Sequence, residues 1–328
     1  MDDQNKDGAI EVIKDKGQRL MFTDKARKRI YSLKLVQFLN YIPGPYSEEL
    51  DFVRSSIGSA WAPVVLSCKN ILMCRSDSGF HLVNPLTREM KKVPNSPQTK
   101  KPHSWELHGF GFDDSTNQYK VVEAKGCTDG LVFSVYESLT DSWRKIKGMF
   151  PYKEPRLCKK SGTVLNGGVH WLVKRDESLV IICFRLAEEE VREIQVPPNW
   201  NNQTVELGLF RDQLCITSIS VSGELCSETF WVMKEYGVQN SWTTMEFIIP
   251  YYRLQHSGFW TDSFDLMLVD AEVLLMSDFN AKRFWELTMR HEFGDVAEYG
   301  RAWVSMWRAL SLLLIKNNRR KAKMIDIL

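Results

Sequence analysis

The dodecapeptide WVMKEYGVQNSW, residues 231–242, decides how this chain is read. It sets two tryptophans on either side of a Lys-Glu-Tyr-Gly centre. One reading makes it a working site. The other makes it a β-hairpin, with Trp231 and Trp242 as strand aromatics and Tyr236-Gly237 at the bend, where glycine holds positive φ at little cost. A counterpart about one hundred residues earlier, SVYESLTDSW (134–143), has the same order of strand, polar bend, serine and tryptophan. A stretch that recurs is scaffold before it is site.

Working outward, six segments share one layout, an apolar strand, a polar turn and a second strand. They are LMFTDKARKRIYSLKL (20–35), HLVNPLTREMKKVP (81–94), VFSVYESLTDSWRKI (132–146), IICFRLAEEEVREIQVP (181–197), FWVMKEYGVQNSWTTM (230–245) and LLMSDFNAKRFWELT (274–288). From the second onward they start 44–51 residues apart, the span of one four-stranded propeller blade. Between them lie further strand-length runs, such as VVLSCKNILMCRS (64–76) and HGFGFDDSTNQYKVVEA (108–124). GTVLNGGVHWLVK (162–174) bends at Asn166-Gly167-Gly168. No long amphipathic helix interrupts the series. The fold class is all-β: a β-propeller of about five or six blades, with a pair of β-sandwiches as the competing arrangement.

Composition agrees. The chain has 328 residues, 44% of them hydrophobic, 12% aromatic and 11 of them Trp, which favours strands and interfaces. A net charge of +2 with no basic stripe and no basic amphipathic helix argues against nucleic-acid and membrane-surface partners. Seven scattered cysteines, with neither a C-x-x-C pair nor zinc spacing, read as reduced thiols of a cytoplasmic or nuclear protein. Residues 1–17 are charged, lack the apolar core of a signal peptide, and read as a poorly ordered lead-in. The sequon at Asn202 is then expected to stay unmodified. Residues 302–315 (AWVSMWRALSLLLI) are too short to span a bilayer and read as a buried element, either the closing strand or a packed helix. The domain is expected over 18–315, with 316–328 a basic tail that begins KNNRRKAK.

Five motifs in order add a resemblance. LVNPLTREMKKVP (82–94), HGFGFDDSTNQYKVV (108–122), VYESLTDSWRKI (135–146), LNGGVHWLV (165–173) and WVMKEYGVQNSWT (231–243) resemble the associated domain of plant F-box proteins, the kelch-like group that includes the S-locus F-box proteins. The resemblance implies a propeller that recognises a protein target for a Skp–cullin–F-box ubiquitin ligase and is itself not an enzyme. The Leu/Pro-rich F-box pattern is not found ahead of the first blade, so the sequence reads as a truncated form without the Skp-binding segment, for which the Skp adaptor is not an expected partner. SCKNILMC (67–74) also departs from the family pattern by losing the glycine of that bend.

Catalytic and cofactor motifs do not emerge, and no catalytic, cofactor or metal residue is assigned. His170, beside Trp171, could be cast as a general base but reads as a satisfied strand histidine. Asp113-Asp114 could hold a cation but reads as a hairpin turn. GFGF (109–112) has no phosphate-binding helix after it. The competing functional reading is a propeller enzyme or carbohydrate-binding lectin using the central channel.

For a binding module, the connections between blades form the expected contact rim, on the face opposite the hairpin turns. Their aromatic and basic residues supply the candidate anchors: Trp105, Tyr152, Arg156, Trp200, Tyr251, Tyr252 and Arg253. Lys100-Lys101 with Lys159-Lys160 would favour an acidic partner.

Overall fold

The computed structural model describes residues 19–24, 29–34, 47–57, 64–97, 105–127, 129–154, 160–198, 205–210, 212–222, 225–249, 254–260, 265–269, 273–278, 283–288 and 313–315, some of them by backbone course alone. Strands fill them. Three come first: β1 (Arg19–Asp24), β2 (Arg29–Lys34) and β3 (Ser47–Glu49). A short helix, α1 (Asp51–Ile57), follows, with Val53 buried.

Four blades then succeed one another. Blade 1 is β4 (Val64–Cys68), β5 (Ile71–Ser76), β6 (Gly79–Asn84) and β7 (Glu89–Lys92). Blade 2 is β8 (Glu106–Asp113), β9 (Gln118–Cys127), β10 (Gly130–Glu137) and β11 (Ser142–Lys145). Blade 3 is β12 (Thr163–Leu165), β13 (Gly168–Arg175), β14 (Ser178–Arg185) and β15 (Val191–Ile194). Blade 4 is β16 (Val205–Phe210), β17 (Gln213–Ser222), β18 (Leu225–Met233) and β19 (Trp242–Ile249).

Blade 5 is β20 (Leu254–Trp260), β21 (Asp265–Val269), β22 (Val273–Asp278) and β23 (Arg283–Thr288). The sixth blade is composite, in the order β24-β1-β2-β3, with β24 (Leu313–Ile315) antiparallel to β1. Part of the 302–315 element is thus a closing strand.

All six sheets are four-stranded and antiparallel. The first strand of each blade packs beside the first strand of the next, from β24 to β4, β8, β12, β16 and β20, which identifies the inner ring. The expected hairpins at 81–94, 132–146, 181–197, 230–245 and 274–288 are the outer pairs of blades 1–5. The first, at 20–35, differs: β1 and β2 are the two middle strands of the composite blade. Its inner strand is supplied from the far end of the sequence, which a local pattern cannot reveal.

The repeat is visible in the backbone too. Turns between first and second strands hold a non-glycine residue at positive φ at Asn70, Asn117, Asn166 and Asp212, at intervals of 47, 49 and 46 residues. Asn and Asp dominate because their short polar side chains tolerate the left-handed region. At SCKNILMC the bend keeps its shape without glycine, with Lys69 at φ 45° and Asn70 at φ 77°.

Blades pack face to face through apolar clusters. Blades 2 and 3 share one built on Phe133, Trp171, Val169 and Phe184, and blades 1 and 2 share another built on Leu82, Phe110, Tyr119 and Tyr136. The glycines of GFGF serve this packing. A Cβ on Gly109 would sit 2.6 Å from Val169 Cγ1, and one on Gly111 2.5 Å from Leu186 Cδ1. Blade 3 occupies the space their side chains would need.

Candidate functional site

Strands of an antiparallel blade alternate in direction, so a blade has two ends. The turns from first to second and from third to fourth strand lie at one end, the hairpin-turn face. The middle turns and the blade-to-blade connections lie at the other, the connection face.

Of the seven candidate rim anchors, Trp105 and Tyr152 fall within the described residues, and neither is an open anchor. Trp105 is 8% exposed, and its indole lies where a Cβ on Gly126 would stand. Tyr152 is 6% exposed, and its hydroxyl donates to Glu193 Oε1 at 2.8 Å. Both join the core between blades 2 and 3. The physical reason is geometric: a connection must cross from outer to inner strand, and its aromatics close the end of the interblade core as it passes. Arg156, Trp200, Tyr251, Tyr252 and Arg253 lie outside the described residues, as do Lys100, Lys101 and Lys159. Lys160 is exposed.

The large exposed apolar side chains among the described residues are Leu86, Leu139, Met149, Tyr236 and Val238. Four of the five sit in outer-hairpin turns: Leu86 between β6 and β7, Leu139 between β10 and β11, and Tyr236 with Val238 between β18 and β19. The signal is present in the sequence as apolar residues inside polar bends (PLT, SLTD, YGV), where the neighbouring turn-forming residues mask it.

The opening dodecapeptide is a hairpin, as expected, and its letters have separable roles. Met233 pairs with Trp242 across the strands, and Gly237 takes φ 83°. Ser241 Oγ accepts from Glu235 N at 3.0 Å and donates to Val238 O at 2.7 Å, closing the eight-residue bend. Tyr236 lays its ring at the surface, while its hydroxyl reaches blade 3, 2.7 Å from His170 Nε2.

His170 is completely buried, with Nδ1 3.0 Å from Thr163 O. A carbonyl oxygen only accepts, so Nδ1 carries the proton and the bare Nε2 accepts from Tyr236. Burial pulls its pKa down to about 4, so the ring is neutral near pH 7. That is a satisfied structural histidine, with both nitrogens committed.

Asp113 heads the expected turn. It accepts from Ser115 N at 2.9 Å and from Thr116 Oγ1 at 2.8 Å. It also faces buried Lys120 at 2.9 Å. Lys120 crosses the interface to Glu189 Oε1 at 3.0 Å and to the Leu186 carbonyl at 2.8 Å, both on blade 3. Arg144 bonds Glu189 from the outer side at 2.6 Å. Burial by itself would raise the Asp113 carboxyl, but hydrogen bonds from Ser115, Lys120 and Thr116 hold it well below the usual range. Sequence reading missed this network because its members lie 69 residues apart.

A sequence profile of the F-box associated beta propeller domain matches residues 46–300. The F-box protein CPR1 of Arabidopsis thaliana is 25% identical over 259 residues, 69% of this chain and 60% of that protein. The F-box protein At3g07870 of the same plant is 29% identical over 211 residues, 55% of this chain and 49% of that protein. The chain thus spans about half the length of the curated relatives it matches. Among solved structures, TolB from Acinetobacter baumannii aligns with a TM-score of 0.46 and 8% identity, over 84% of this chain and 65% of TolB. From the match over most of its length, this chain belongs to the F-box associated β-propeller family.

Proposed function

We propose that this propeller is the target-recognition part of a Skp–cullin–F-box ubiquitin ligase subunit. It binds a protein, performs no chemistry on it, and leaves ubiquitin transfer to the assembly. The carrying observation is the family match over residues 46–300, with F-box proteins as the relatives. Supporting it, the two residues that could be cast in a chemical role are engaged within the scaffold: His170 is fully bonded and Asp113 serves a turn and an ion network.

Target contact is assigned to the connection face, with Arg156, Trp200, Tyr251, Tyr252 and Arg253 as its anchors. Skp binding is assigned outside residues 46–300. The test is affinity capture of proteins from plant extract on the full chain, beside Trp200→Ala and Tyr251→Ala/Tyr252→Ala variants of matched thermal stability. Capture of a protein lost in the variants, whose abundance in plants falls when the F-box form is expressed, is the expected result. Capture that the variants leave unchanged overturns the assignment of the face. Failure to capture any protein on the folded chain overturns the recognition role.

A further inference from the structure

The sequence contains one Asn-Gly pair, Asn166-Gly167, and it forms the two-residue turn between β12 and β13. Leu165 and Gly168 pair across its base. Both turn residues hold positive φ, 49° and 69°, the geometry for which Asn-Gly is a favoured pair. Both are exposed.

An asparagine side-chain amide is open to attack by the next backbone nitrogen, most of all when that residue is glycine, with no side chain to shield it. Two other asparagines differ. Asn84 Oδ1 accepts from Leu86 N at 3.0 Å and from Thr87 N at 3.2 Å, and the residue after it is Pro85, which has no N–H. After Asn240, Ser241 N donates to Val238 O at 3.0 Å. At the β12–β13 turn, neither the Asn166 side-chain amide nor the Gly167 N–H has a hydrogen-bond partner among the described residues.

The carbonyl of the Asn166–Gly167 peptide accepts from Arg185 Nη1, at the end of β14. The guanidinium lies over the turn: a Cβ on Gly167 would stand 4.0 Å from both Nη1 and Nη2. A cation bonded to that oxygen draws charge out of the peptide and stabilises the anion left when Gly167 N–H loses its proton. That deprotonated nitrogen is the attacking group.

We propose that Asn166 is a site of self-modification, deamidating in the folded protein with Arg185 promoting the step. Gly167 N bonds to Asn166 Cγ, the Cγ–Nδ2 bond breaks, and ammonia leaves with the Gly167 proton. Water then opens the cyclic imide. Cleavage of the N–Cγ bond gives aspartate, and cleavage at the Asn166 main-chain carbonyl carbon gives isoaspartate. Nothing is oxidised or reduced. Aspartate places a carboxylate beside Arg185. Isoaspartate adds a carbon to the main chain of a tight turn, next to Gly168, where a Cβ would already lie 2.4 Å from Cys183 Sγ. Blade 3 thus carries a chemical clock. The inference rests on the turn and Arg185 and does not depend on the ligase reading.

The test incubates the full chain at neutral pH beside Arg185→Met, each both folded and in guanidinium chloride. Peptide mass spectrometry follows loss of the Asn166 amide, and an isoaspartyl methyltransferase labels isoaspartate. The folded chain is expected to convert Asn166 several-fold faster than Asn95 or Asn240. Arg185→Met should slow the folded conversion several-fold and leave the denatured rate unchanged, with a thermal melt showing that the variant is folded. Asn166 left intact in the folded parent while the denatured parent converts it overturns the proposal, and that comparison needs no variant. Equal folded rates in the parent and Arg185→Met overturn it as well.

Discussion

Trp242 donates its indole N–H to the backbone carbonyl of Gln195, 47 residues earlier on the preceding blade, at 3.0 Å. Trp143 does the same to Pro94, 49 residues back, at 2.6 Å. The Ser-Trp pair that recurs in the sequence is therefore a latch. Its tryptophan lies at the start of the outer strand of one blade and ties it to the chain just leaving the outer strand of the blade before.

Trp242→Phe keeps most of the buried ring but leaves the Gln195 carbonyl without its donor. The cost should be about 1–2 kcal/mol. Trp143 is only partly buried, so Trp143→Phe should cost less, because water can replace the lost donor. Urea unfolding of the two variants beside the parent checks both the size and the order.

Lys120 is 3% exposed at its side chain and stands between two carboxylates. Lys120→Met removes the cation and leaves Asp113 and Glu189 facing a buried apolar chain, for a loss of about 3–5 kcal/mol. Adding Asp113→Asn and Glu189→Gln should restore part of that loss. A triple variant no more stable than the single one would show that the two acids do not act through Lys120.

His170 gives a pH dependence whose sign is set. Its folded pKa of about 4 lies below the ordinary 6.5. The unfolded chain thus binds a proton more readily, and the stabilisation present above pH 6.5 is lost as pH falls toward 4. The full difference is about 3 kcal/mol. Between pH 7 and 5, above the titration midpoints of Asp113 and Glu189 in the folded and unfolded chain, His170→Gln should flatten the slope of stability against pH. Denaturant titrations at pH 7, 6 and 5 measure it.

Two glycine substitutions should separate close packing from turn strain. Gly109→Ala drives a methyl to 2.6 Å from Val169 Cγ1 and 2.9 Å from Trp171 Cζ2, an overpacking cost of about 1–3 kcal/mol. Gly237→Ala meets nothing within 4 Å and pays only for its φ of 83°, about 1 kcal/mol. Thermal melts should rank Gly109→Ala as the more damaging.

Much of this architecture was legible because a blade repeats. The hairpin at 231–242, the bend at Asn166-Gly167 and the turn headed by Asp113 each depend on residues within a few positions of one another. Local backbone preference and strand alternation suffice to read such features. The candidate anchors fared differently. Trp105 and Tyr152 have the composition of contact residues, yet blade-to-blade packing buries both.

The sequence by itself determined the blade unit, its period of roughly fifty residues and the positions of its turns, because these follow from contacts local along the chain. Only the tertiary structure decided what joins one blade to the next. The tryptophan latches, the Lys120 network and the pairing of β24 with β1 link residues 47, 69 and nearly 300 positions apart. Such contacts depend on where the ring brings two sheets together, and the order of residues within a blade does not encode that distance.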